Sequence, residues 1–199
     1  GRADEARDFL RDVSGRGAVD LRVTGLDAVS DPVLQSFLGA MAETARERGV
    51  ELRVGEDTLL RSSLLDVEDA LAVLGNLVGN AVTAAQAAAA ASVGDPWVEV
   101  TLLDQLDGSG TGELVMTVAD SGGGVADPSA VFAARTSSDT DASVHGHGIG
   151  LPLSREIARR RGGEVWIIDA GGAGSGAVFG ARLPGAMGGP SGNEETDDE

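Results

Sequence analysis

Neither cysteine nor lysine occurs anywhere in the 199 residues. Without cysteine there is no disulfide, no zinc–thiolate site and no thiol nucleophile, and a reducing, cytoplasmic setting is expected. Without lysine there is no Walker-type P-loop, so any phosphate chemistry must use backbone amides, arginine and a metal. Aromatic residues make up 3% of a chain that is 42% apolar, so its core must be Leu, Val and Ala. Basic residues are scarce as well: 15, all arginine, against 32 acidic ones, for a net charge of −17. Such a surface repels nucleic acid and anionic membranes as main partners. No apolar run reads as long enough to cross a bilayer, and no signal peptide is read.

Residues 3–14 have helical spacing, broken by GRG at 15–17. Ser30-Asp31-Pro32 supplies a cap and a first-turn proline for a helix that stops at Gly49. VELRV at 50–54 alternates as a strand does. Asp66 caps a second helix, DVEDALAVLGNLVGNAVTAAQAAAAA, and residues 97–106 and 113–120 read as a hairpin. Ser121 to Gly150 reads as a long functional loop, followed by the helix LPLSREIARRR and the closing strands EVWIIDA and AVFGARLP. This order predicts an α+β fold, a two-layer sandwich of a mixed sheet with helices on one face.

Three groups of residues could carry chemistry. Asn76 and Asn80 lie four apart on one helix face. They are either surface polar groups or carboxamide oxygens for Mg²⁺ or phosphate. Asp120 ends a strand before SGGGV. It is either turn chemistry or a carboxylate that accepts from an exocyclic amine while the glycines admit a flat ligand. In HGHGIGL at 145–151, glycines alternate just before a helix. They form either a flexible loop or a cradle of amides for an anion. His145 and His147 by themselves make a poor metal site.

Taken in order, NLVGNA, DSGGGV, a loop phenylalanine (Phe132) and GHGIGL make a more specific set than any one alone. Over about residues 50–184 the chain resembles the GHKL (Bergerat) ATPase superfamily, and within it the ATP-binding domain of sensor histidine kinases. The resemblance implies ATP and Mg²⁺ as ligands, with Asn80 the metal ligand and Asn76 a second catalytic position. Asp120 would read the adenine amine, and Gly122 and Gly124 would line the base. The second glycine box, Gly146, His147, Gly148, Ile149, Gly150 and Leu151, would turn its amides to the phosphates. Residues 30–54 resemble the segment ahead of this domain in citrate and C4-dicarboxylate sensor kinases.

On this reading residues 1–49 are the remnant of a helical dimerisation region that lacks its phosphoacceptor helix. Residues 50–184 are the ATP-binding domain, and 185–199 a disordered acidic tail. The partners implied are the histidine-bearing dimerisation helices of a membrane-anchored, homodimeric parent and a response regulator. Gly123 stands where the family usually has proline, and Thr83 where many members have a basic residue. The alternatives are a GHKL ATPase that hydrolyses ATP, a serine-kinase relative, and a degenerate nucleotide-binding scaffold. Hydrolysing members usually carry glutamate where this chain has Asn76.

Overall fold

The computed structural model describes residues 23–89, 95–106, 111–133, 150–172 and 175–189. A 3₁₀ turn, Leu26–Ala28, leads into helix α1, Pro32–Glu47. Asp31 starts this helix. Its Oδ1 accepts from the amides of Val33 and Leu34, both at 2.9 Å. Its Oδ2 accepts from Leu64 N at 2.9 Å, so one buried carboxylate caps the helix and ties it to a strand.

Strands β1 (Glu51–Val54) and β2 (Ser63–Leu64) come before helix α2, Val67–Ala88. The hairpin β3–β4, Trp97–Leu106 and Thr111–Asp120, follows. Helix α3 (Gly150–Arg160), β5 (Glu164–Asp169) and β6 (Val178–Gly188) complete the chain order. The sheet is mixed. β1 pairs with β3 in parallel, and the other pairings are antiparallel. Its order is β1-β3-β4-β6-β2, with β5 also on β6. This is the expected α+β architecture.

Helix α2 forms the centre of the helical layer. Ala70, Leu71, Leu74, Leu77, Val78, Ala81, Val82 and Ala85 recur at three- and four-residue spacing and are buried. They meet Val98, Val100 and Leu102 of β3 and Leu114, Met116 and Val118 of β4 in one core. Each fully buried Leu contributes about 1.5–3 kcal/mol.

Two expectations need correcting, and a third, the first domain boundary, meets a continuous core. Helix α2 is long and apolar enough to cross a bilayer by length and composition, contrary to the sequence reading; here half of that apolar window is buried inside the protein. At the expected boundary, 49/50, the core is continuous: Leu34, Phe37 and Leu38 of α1 belong to the same cluster as the strands. The ring of Phe37 lies against Gly75 of α2. Finally, the sheet does not end at Pro184. β6 continues to Gly188, where Met187 pairs with Gly112 and Leu64, so residues 185–188 are not tail.

Candidate functional site

The site forms at the end of the hairpin. Val98 pairs with Asp120, so the last residue of β4 lies beside the first turn of β3. Trp97 and Ser121 lock that edge, with Trp97 N donating to Ser121 Oγ at 2.9 Å. The Asp120 side chain is only 5% exposed. Burial is the largest influence on it and raises its pKa; hydrogen bonds from the backbone of Gly122 and Ala177 oppose that rise. The Gly122 amide donates to Oδ1 at 2.7 Å.

Two glycines make this packing possible. A Cβ at Gly122 would lie 2.6 Å from Asp120 Oδ1 and 2.8 Å from the Ala84 Cβ on α2. A Cβ at Gly176, in the β5–β6 connection, would fall on the Asp120 carbonyl. The end of β4, the flank of α2 and the start of β6 therefore converge on one carboxylate.

On α2, Asn80 lies four residues before Ala84, and Asn76 four before that, so all three share a face. Asn80 is exposed and Asn76 half-buried. Asn76 Nδ2 donates to Ser154 Oγ at 3.0 Å, and Ser154, fully buried, donates to the Gly150 carbonyl at 2.9 Å. A Cβ at Gly150 would stand 3.2 Å from Asn76 Oδ1. The first turn of α3 is thereby latched onto the asparagine face. This brings the positive end of the α3 dipole, with amides that lack intrahelical partners, next to Asn76.

Phe132 anchors the loop that leaves Asp120. Its ring meets Phe179 edge-on, with centroids 6.4 Å apart, and the Arg155 guanidinium lies 4.4 Å from its centroid. Arg155 in turn is hydrogen-bonded to Glu164 at 2.6 Å. The resulting surface carries a buried acceptor, a carboxamide face and a helix N-terminus. Among the described residues no group of three or more His, Cys, Asp and Glu could hold a metal by itself. A separate hollow between α1 and β1 includes Glu43, Glu51 and Asp95 in its lining, which disfavours an anion there.

Residues 65–186, more than half of the chain, match the family described as histidine kinase-, DNA gyrase B-, and HSP90-like ATPases. The chain belongs to this ATPase family. It is 26% identical over 188 residues to the adaptive-response sensory kinase SasA of Synechococcus sp. (strain JA-2-3B'a(2-13)), covering 88% of this chain. It spans about half, 47%, of that relative's length. The fold is similar to that of full-length ShkA, solved in complex with AMPPNP, at TM-score 0.57 and 23% identity, covering 94% of this chain and 36% of that one. The mycobacterial sensor histidine kinase MprB matches at TM-score 0.52 and 22% identity, covering 77% of this chain and 95% of that one. This member of the family is thus similar to the catalytic domains of sensor histidine kinases.

Within this ATPase-family domain, the structure brings Asn76, Asn80, Asp120, Gly122 and Gly150 together. Gly124 serves a different contact: at φ 79°, a Cβ there would lie 2.7 Å from the Ala170 carbonyl, so it seats the β5–β6 turn. The Leu151 side chain packs against the core, which leaves only its backbone to face a ligand. Gly146, His147, Gly148 and Ile149, together with His145, lie outside the described residues. Sequence reasoning missed Ala84, Ser154, Gly176 and Ala177. The i+4 spacings of Ala84 from Asn80 and of Ser154 from Gly150 were signals it could have used.

Proposed function

We propose that this chain is the ATP-binding catalytic domain of a two-component sensor histidine kinase. It passes the γ-phosphoryl group to a histidine on a dimerisation helix outside this chain. The observation that carries the reading is Asp120, a buried carboxylate with glycines on two sides, facing α2 beside Asn80 and Asn76. Asp120 accepts from the adenine amine, and Gly122 leaves room for the base. The amides that open α3, from Gly150 on, face the phosphates.

The residues fit Mg²⁺ that arrives on a nucleotide rather than Mg²⁺ in a protein cage. Asn80 offers an exposed, hard amide oxygen, and Mg²⁺ characteristically takes most of its other ligands from phosphate and water. When bound, the ion neutralises charge on the transferring phosphate. Phosphoryl transfer then asks the protein mainly for positioning. The P–O bond to ADP breaks as an imidazole nitrogen bonds to phosphorus. Asn76, whose amide nitrogen is held by Ser154, cannot take a proton from water, which supports transfer over hydrolysis. The finer reading, a citrate or dicarboxylate sensor with a membrane-anchored dimeric parent and a response regulator, rests on the resemblance of residues 30–54.

The test is calorimetry with Mg·ATP, followed by labelled transfer. Wild type should prefer ATP to GTP by about 1–3 kcal/mol, because guanine would set an acceptor against a buried acceptor. Asp120→Ala should lose that binding. Label from ATP should appear on a separate histidine-bearing helix and not as acid-labile phosphohistidine on this chain. Equal ATP affinity in wild type and Asp120→Ala would overturn the assignment.

A further inference from the structure

Among the described arginines, all but Arg48 and Arg61 end on a carboxylate. The sheet register places these two at opposite ends. Arg61 and Ser62 donate their backbone amides to Asp104, which pairs with Leu114, well before Asp120 on β4. Arg48 precedes β1, whose first residue, Glu51, pairs with Trp97, the neighbour of Asp120's partner Val98. Arg48 is therefore at the Asp120 end.

Its guanidinium is held by neutral groups on α2. Nε and Nη2 donate to Gln86 Oε1 at 2.9 and 2.6 Å, and Nη2 reaches Thr83 Oγ1 at 3.3 Å. Nη1 makes no hydrogen bond to a described residue. In a chain of net charge −17, a guanidinium oriented by an amide and a hydroxyl, with one edge open, suits an anion that comes from outside.

Helical geometry gives the direction. Taking about 100° per residue, Ala84 lies about 40° to one side of Asn80 and Thr83 about 60° to the other. Ala84 touches Gly122 and so marks the base side. A nucleotide that passes over Asn80 from there ends its phosphates on the Thr83 side, where Arg48 is held. We propose that Arg48 is a further phosphate-binding residue, which takes the terminal phosphate of a nucleoside triphosphate. The proposal rests on the nucleotide-site reading above and extends it to a residue of α1's C-terminal cap.

The experiment measures Mg·ATP and Mg·ADP affinity by calorimetry for wild type, Arg48→Gln, Arg48→Lys and Asp120→Ala, with circular dichroism melts to check folding. Arg48→Gln should weaken ATP by about ten- to a hundredfold, the range of a charge-assisted hydrogen bond, and leave ADP within about threefold. Arg48→Lys should recover part of the ATP affinity, and Asp120→Ala should lose both nucleotides. An equal fall for ATP and ADP in Arg48→Gln would overturn the proposal, because Arg48 would then only brace α1 against α2. So would an unchanged ATP affinity. A folded wild type that binds neither nucleotide would remove the site reading together with this extension of it.

Discussion

Asp120 holds a charge where the fold has removed water. Burial raises its pKa above the ordinary 3.8 against the pull of Gly122 and Ala177. A carboxyl with a higher pKa folded than unfolded keeps its proton longer in the native state. Stability therefore falls as pH climbs from the unfolded value through the raised folded one, and stays lower above that window. Asp120→Asn removes the buried charge. Its melting temperature at about pH 7 should match or exceed wild type, and the difference should shrink at about pH 4, near the ordinary carboxyl value, where the raised pKa leaves the wild-type group protonated for more of the time. Its ATP affinity should nonetheless collapse, because the amide offers N–H where an acceptor is needed. Thermal melts at both pH values check this, and an Asn variant less stable than wild type at neutral pH would mean that the two backbone hydrogen bonds outweigh burial. Asp120 and Asn80 were legible in the sequence because a strand end before glycines and a four-residue helical spacing are local patterns. Ser154 and Gly176 were not, because their roles depend on which distant elements meet. Ser154 has a purpose only once α3 lies on Asn76, and Gly176 only once β6 begins against Asp120.

The seam between α2 and α3 decides how the asparagine face is presented. Leu77 of α2 and Ile157 of α3 both belong to the common core, and the polar content of the seam is the chain from Asn76 through Ser154 to the Gly150 carbonyl. Ser154→Ala leaves the half-buried Asn76 amide nitrogen without its acceptor. The expected cost is about 1–3 kcal/mol in denaturant unfolding, with a weaker ATP affinity as Asn76 and the start of α3 lose their registration. A loss below about 0.5 kcal/mol would mean that water takes over the bond. At this scale the helices and the hairpin were legible, since capping residues and apolar spacing mark them. The end of β6 was not. Leu183 pairs with Leu114 and Met187 with Gly112, so Pro184, Gly185 and Ala186 occupy an irregularity where the alternation breaks. A proline without an N–H and a glycine at φ 69° fit there and nowhere in a regular ladder. Read as sequence, the same pair looks like the start of a linker. β2, two residues long, carries too short a pattern to register at all.

Across the whole molecule, where the domain begins matters more than where its motifs lie. A family match over residues 65–186 and a first strand at Glu51 both invite a fragment starting at residue 50. The core does not. Leu34, Phe37 and Leu38 are 0%, 5% and 0% exposed, and Val23 and Val29 join the same cluster. Burying three large side chains contributes about 1.5–3 kcal/mol each, so losing α1 forfeits roughly 5–9 kcal/mol. A typical domain has only about 5–15 kcal/mol of stability. The deletion also strips the hydrogen bonds that join Arg48 to Gln86 and Asp31 to Leu64. A chain of residues 50–199 should therefore show no cooperative thermal transition and bind no nucleotide. A chain of residues 23–199 keeps every described element and should melt cooperatively. Phe37→Ala in the full chain isolates the packing share and should cost about 3–5 kcal/mol in denaturant unfolding while leaving every site residue in place. If the fragment from residue 50 melted cooperatively near the full chain's temperature, α1 would be an appendage and the boundary at 49/50 would stand.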